Sequence, residues 1–469
     1  MQGDFSRVTF DPAQRFSAVL SQQGRVQLDS EMNEQTAILL HYLRSLTTDV
    51  LGPAACPVGP GEDGGFKVAF ADGTLTVTSG HMYVKGILCE SDGAEYWTQP
   101  DGYLEQARDK DRELPPGPFM VYLRVWERLV TANEAPAIRE VALGLHGPDT
   151  TARTRVVWQL DWTALGPEPL IPDANTAPEF LKKRIKERFG SRGQLAARTR
   201  RPEGETDPCD LPPDAGYRGP ENQLYRVEVH CGGTAGKATF KWSRENASVV
   251  LPIRSIAGPT VELDTLGRDD ELGLEAGDVV EIVDDASVCR AALDVIPDTC
   301  ARLYRIAEID HVARRVVLDA DPAEDPHQPN VGTVHERHPL VRRWDHQPPE
   351  RAEAAEGPPA APADGALPVE EGKWLPLEDG IHVWFEPSAD TGSPSFYRAG
   401  DYWLIPTRVV TGDVMWPTDA RGEAQRRPPH GIDYHYAPLA NVEPSGSGQR
   451  DVRDLRMLFD RLGRPRQEP

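Results

Sequence analysis

The sequence predicts a mainly β, multi-domain protein of antiparallel sandwiches or barrels, with an N-terminal helical segment and a short C-terminal helix. Three observations carry that prediction. At roughly 150 residues per domain, 469 residues suggest two to four domains, each able to bury a core. The 41 Gly and 43 Pro punctuate the chain with turns and favour short strands over long helices. From Phe66 onward, apolar residues recur with period two in many short stretches.

The helix comes first. Ser30 is placed to cap it, and Leu39, Tyr42, Leu43, Leu46 and Val50 follow at helical spacing on one face. Gly52-Pro53 then stops it. Ahead of the helix, Phe16, Val19, Leu20, Val26 and Leu28 form an apolar patch that needs a neighbour to pack on. FKVAF, Asp72-Gly73 and TLTVT read as a hairpin with the favoured Asp-Gly turn, and HMYV, Lys85-Gly86 and ILCE repeat it. Longer strands follow at Phe119 to Val130 and Arg153 to Trp162; the first is apolar on both faces and so is expected to be sandwiched. APEFLKKRIKERFGSR reads as a short basic helix. YRVEVH and TFKWS form a hairpin across a Gly-rich loop, and VVLPI, TVEL, VVEIV, LYRIAEI and RRVVLD point to a small antiparallel barrel or sandwich. The tail DVRDLRMLFDRLG reads as an amphipathic helix on Val452, Leu455, Phe459 and Leu462.

These signals divide the chain into consecutive segments: a helical arm (1–52), a β domain (53–165), a connector with the basic helix (166–216), a barrel or sandwich (217–345), a linker (346–372) and an aromatic-rich C-terminal subdomain (373–469). The linker holds six Pro and seven Ala, with Leu367 and Val369 as its only large apolar residues, so it is expected to be extended or mobile.

A formal charge of −23 repels phosphate backbones and argues against sequence-independent nucleic-acid binding. No run of 18 apolar residues occurs and the opening lacks a basic and an apolar signal region, so cytoplasmic synthesis without membrane insertion is expected. Cys56, Cys89, Cys209, Cys231, Cys289 and Cys300 form no C-x-x-C pair and read as reduced, mostly buried thiols. In an exported particle, Cys289 and Cys300 are the pair to check for a bridge.

Catalytic motifs are sparse. Cys231-Gly-Gly-Thr-Ala-Gly-Lys237-Ala238 departs from a phosphate loop at three points: Cys for the first Gly, Ala for Ser/Thr, and a strand where a helix should begin. His335-Glu336-Arg337-His338 lacks the H-E-x-x-H spacing. No G-x-S-x-G occurs. His430, Asp433 and His435 are candidate metal ligands by type and closeness; the competing reading hydrogen-bonds the histidines to backbone or stacks them on Tyr434 and Tyr436. No cofactor is implied. A pair of glycosidase carboxylates is defined only in three dimensions, so abundant acids neither make nor exclude one.

Two long stretches carry a resemblance: MQGDFSRVTFDPAQRFSAVLSQQGRVQLDSEMNEQTAILLHYL at the start, and DGIHVWFEP, YRAGDYWLIPTR, GDVMWP and PPHGIDYHYAPLA toward the end. With AGYRGPENQLYRVEVH and FKWSRENASVV between them, nearly the whole chain resembles a bacterial family of uncharacterised function encoded among the genes of contractile, phage-tail-like injection systems. TLTVTSGHMYVKGILCE is also similar to β-rich stretches of phage tail and baseplate proteins. The resemblance implies a non-enzymatic structural component near the baseplate or fibre attachment, within a released or extracellular particle. Its partners would be baseplate, spike, tube or fibre proteins, with self-association a further candidate. It supplies no catalytic residues. Candidate contact residues are Leu39, Leu43 and Leu46 on the first helix and Val452, Leu455, Phe459 and Leu462 on the tail. The rival reading is a carbohydrate-binding or carbohydrate-cleaving, receptor-contacting protein, since Trp and Tyr in a β-rich chain suit sugar stacking.

Overall fold

A computed structural model describes the chain except residues 60, 145–147, 167–170, 200–215, 268, 270, 291–299, 329, 348–364, 389–393, 446–449 and 462–469. The protein is mainly β and mostly antiparallel. It divides into two compact units built from non-contiguous stretches, which cut across the consecutive segments suggested by the sequence. One unit holds Met1–Arg7, Thr131–Ala152 and Phe189–Ile432; the other holds Val8–Val130, Arg153–Arg188 and Asp433–Pro469.

In the second of these units two sheets share one core. The first sheet orders Val68–Ala71, Thr74–Val84, Ala54–Val58 and Leu458–Asp460, with Ile87–Glu95 paired to Thr74–Val84. Its two hairpins turn at Asp72-Gly73 and Lys85-Gly86, all four residues at positive φ, the geometry the Asp-Gly signal calls for. The second sheet orders Arg450–Asp454, His435–Pro444, Phe119–Val130 and Arg153–Ala164. Phe119, Val121, Leu123 and Val125 enter the core between the sheets with Met82, Val84, Leu160 and Leu439. Met120 and Tyr122, on the opposite face, are covered by Ala177 and Leu181 of helix α2 (Ala177–Phe189). The period-two pattern with two apolar faces therefore reports a sandwiched strand.

Helix α1 runs Asp29–Leu51. Ser30 is not its cap: it lies buried in the first turn, and the Glu31 carboxylate reaches back to accept the Leu28 N–H at 3.0 Å. Gly52, at φ 87°, ends the helix with its N–H on Thr48 O, and Pro53 follows.

The tail helix expected on Val452, Leu455 and Phe459 is absent; those residues lie on two strands and the turn between them. A spacing of three and four fits a helix, but neighbouring strands offer unpaired backbone groups that short tail segments satisfy better. Arg450–Asp454 pairs antiparallel with His435–Pro444, placing Val452 opposite Val442, and Leu458–Asp460 pairs parallel with Ala54–Val58. Between them Leu455 is buried and the Arg456 guanidinium donates to Gly65 O at 2.6 Å and Asp63 O at 2.9 Å. Leu462 lies outside the described residues.

The other unit contains a closed antiparallel barrel, in the order Val250–Ala257, Thr260–Leu263, Arg315–Leu318, Tyr304–Asp310, Val279–Val283 and Leu340–Trp344. Five of these strands match the sequence pattern; Leu340–Trp344 closes the ring. Beside it a five-stranded sheet orders Leu367–Pro368, Thr239–Ser243, Leu224–Val229, Tyr402–Arg408 and Asp413–Val414. Its Val227, Phe240, Trp242 and Trp403 share a core with Leu195, Ile381 and Phe385 from a three-stranded sheet of Trp374–Pro376, Ile381–Phe385 and Leu195–Thr199. The first residues of the chain belong here: Gly3 N–H donates to Asn246 O at 3.3 Å, and the Asn246 amide donates to the carbonyls of Met1 and Gly3 at 3.0 and 2.8 Å.

Both ends of the expected linker are structured. His346 is fully buried, Leu367–Pro368 pairs with Thr239–Phe240, and Ala366 and Val369 are 1% exposed. Two apolar residues suffice because the neighbouring sheet provides the rest of the core. Residues 348–364 lie outside the described part. Cys231 is joined to Cys300 across 69 residues, which corrects both the all-reduced reading and the Cys289–Cys300 pair. Spacing along the chain cannot reveal that pairing, because the partners meet only once the strands have packed. Cys56, Cys89 and Cys289 are buried, and Cys209 is outside the described residues.

Candidate interaction surface

α1 is seated on its unit by one face. Ile38 is 1% exposed, and Arg44 donates to the Glu127 carboxylate at 2.8 Å. The close approach depends on Gly86, where a Cβ would meet the Arg44 Cα at 2.5 Å. The opposite face is bare: Met32, Leu39, Leu43, Leu46 and Val50 are between 54% and 70% exposed. Leu40 and Tyr42 flank them, also exposed.

The segment before α1 adds to this surface. Apart from a single 3₁₀ turn at Pro12–Gln14 it has no regular structure, and it is tethered by few bonds. Thr9 donates to Glu34 and to Ser30 O, and the Val19 N–H donates to the Gln35 amide oxygen at 2.7 Å. Phe16, Leu20, Val26 and Leu28 are exposed, Leu20 and Val26 by more than 80%. Together with the α1 face they leave a dense set of large apolar side chains in solvent within residues 16–50, whereas isolated exposed apolar residues are the norm.

The sequence-predicted contact residues separate into two groups. Leu39, Leu43 and Leu46 sit on the exposed face, whereas Leu455 is core and Val452 and Phe459 are half-buried in strands. Met32 and Leu40 were missed, although their spacing from Leu39 and Leu43 was there to be read.

Of the candidate metal residues, His430 belongs to one unit and Asp433 and His435 to the other. The Leu404 N–H donates to His430 Nδ1 at 3.0 Å, and the ring packs 6.0 Å from Trp416. His435 lies in a strand opposite Val125. No group of three or more His, Cys, Asp and Glu side chains is placed to hold a metal among the described residues.

A second assembly escaped the sequence reading: a buried ion network between the five-stranded sheet and the barrel. Lys241 Nζ lies 2.7 Å from Glu281 Oε1, 3.5 Å from Glu228 Oε1 and 4.4 Å from the Trp344 ring centroid. Arg226 pairs with Glu228 at 2.6 Å and stacks on Tyr402. Trp344 Nε1 donates to the other Glu281 oxygen at 2.9 Å. Burial alone would raise the Glu281 carboxyl, but the charges of Lys241, Arg342 and His230 outweigh it and hold it at about 2. The signal for this network was a run of charged residues alternating with core residues inside strands, in YRVEVH and TFKWS.

Burial also lowers His346 and His430, each to about 4. His346 Nε2–H donates to Gly365 O at 3.1 Å, which alone would favour the charged ring, and burial outweighs it. A histidine whose folded pKa lies below its unfolded value of about 6.5 contributes stability above that value and loses it as pH falls through the folded pKa. Glu281 adds a second loss at lower pH, as pH drops from about 4.3 through 2. Each group contributes up to about 3 kcal/mol. Between pH 7 and pH 4 these losses are opposed by Glu245, whose carboxyl is raised by burial to about 7 and which therefore gains stability as pH falls. With Glu245→Gln in place, urea midpoints are expected to fall from pH 6.5 to pH 4, and a flat profile in that variant would contradict the burial of neutral histidines.

Most of the chain can be placed by comparison. Residues 1–166 and 175–453 match a family of unknown function, DUF6519. The chain belongs to that family. No curated protein and no solved structure matches it. In this DUF6519 chain a bare apolar arm and helix lie on one unit, and paired charges lie inside the other. Among the described residues no helix is long and apolar enough to cross a membrane.

Proposed function

We propose that the chain is a non-enzymatic structural subunit of a contractile, phage-tail-like injection particle, at the baseplate or a fibre attachment. The observation that carries this reading is the arm and α1 face of residues 8–51. Apolar surface of that size, held out on a helix whose other face is fixed, is what a subunit needs when its partner is supplied by assembly. The charge of −23 keeps the unassembled chain soluble despite that surface. The Cys231–Cys300 bond suits a protein that reaches an oxidising environment, as a released particle does. The specific particle class rests on the sequence resemblance.

On this reading the protein joins subunits and turns over nothing. Deleting the gene from a strain that makes such particles should remove intact baseplates in electron micrographs, with restoration by the wild-type gene. Normal particles from the deletion strain would overturn the proposal. So would glycan turnover by the purified protein that is lost on mutating a pair of carboxylates.

A further inference from the structure

The exposed residues of α1 are spaced with a regularity that an unstructured partner would not require. Met32, Thr36, Leu39, Leu43, Leu46 and Val50 follow at intervals of 4, 3, 4, 3 and 4 residues, all exposed. That is the seam of a coiled coil, with Met32, Leu39 and Leu46 at d and Thr36, Leu43 and Val50 at a. The seam selects a helix as its occupant, since only helical side chains at the same period can seat as knobs between these positions.

The flanks indicate which helix. Positions e and g are Asn33, Leu40, Thr47, Gln35, Tyr42 and Asp49. Only Asp49 is charged, so the flanks lack the opposed charges that specify a different partner and scarcely repel an identical one. Leu40 and Tyr42 widen the apolar strip on either side. A helix of 23 residues is about 34 Å long, and fewer than three heptads are marginal by themselves. Phe16, Leu20 and Val26 of the arm, each exposed, add further large apolar side chains on each copy.

We infer that α1 pairs face to face with α1 of a second copy of this chain, making the dimer the unit that enters the assembly. The inference rests on the reading of residues 8–51 as an assembly surface and names its occupant. In a two-fold pair every seam residue is used twice, so the small contribution of each is doubled.

The full-length protein should sediment with the mass of two chains in analytical ultracentrifugation over about 1–100 μM. Leu39→Glu/Leu43→Glu/Leu46→Glu should sediment as one chain with an unchanged circular dichroism spectrum, because the three residues touch solvent in the single chain. Thr36→Leu replaces a polar a position and should tighten the dimer by about tenfold. A wild-type monomer at 100 μM, a mass of three chains, or a dimer that survives the triple substitution and ignores Thr36→Leu would each overturn the inference. A wild-type monomer would leave the particle role standing, whereas normal particles without the gene would remove that role and leave the dimer.

Discussion

Lys241→Ala is expected to destabilise the unit containing the barrel by about 3–5 kcal/mol, the largest loss from any single side chain considered. The residue lies within a strand, 3% exposed, with Glu281 at 2.7 Å and Glu228 at 3.5 Å. Both carboxylates are largely buried, so little solvent compensates them when the ammonium is removed. Each then bears desolvation that Lys241 had offset, and Glu281 loses the nearest of the charges holding it at about 2. Urea titration followed by tryptophan fluorescence measures the loss. Glu281→Gln alone should also be costly, while the double variant should cost clearly less than the sum, since it removes both signs together. A Lys241→Ala loss below about 1 kcal/mol would show that the pair is solvated.

Removing the Cys231–Cys300 bond is expected to cost the same unit about 4 kcal/mol. The bond closes a separation of 69 residues, and the entropy it removes from the unfolded chain grows with the logarithm of that length. Cys231→Ser/Cys300→Ser should melt well below the oxidised wild type, and dithiothreitol should lower the wild type to the same value while leaving the variant unchanged. Equal melting temperatures for oxidised and reduced wild type would contradict the bond.

Local chemistry was legible in the sequence and distant pairing was not. Asp72-Gly73, Lys85-Gly86 and Gly52-Pro53 act through the backbone of their own residues, so their turns and the helix stop could be read directly. The alternation in Phe119–Val130 announced two covered faces, but a period of two reports only which side a residue faces. It could not say that the neighbour would be His435–Pro444, more than 300 residues later. The tail failed for this reason in part: Val452, Leu455 and Phe459 satisfy a helical period, but Arg450–Asp454 folds back on the adjacent strand His435–Pro444 and Leu458–Asp460 joins Ala54–Val58 far upstream. At the candidate surface, Leu39, Leu43 and Leu46 were readable because α1 is a local element. The interior charges left only the alternation in YRVEVH and TFKWS, and the pairing of Lys241 with Glu281 arises only once the sheet and barrel are brought together.

A chain built into a particle must be found in sedimented particles. Contractile particles should be purified by density gradient from a strain that encodes them, and the chain quantified by mass spectrometry against the sheath and tube proteins. The chain should co-sediment at a fixed ratio to those proteins, and the ratio should survive high salt, because the contact is apolar. A chain confined to the soluble fraction, or one whose ratio to sheath drifts between gradients and vanishes on washing, would contradict it.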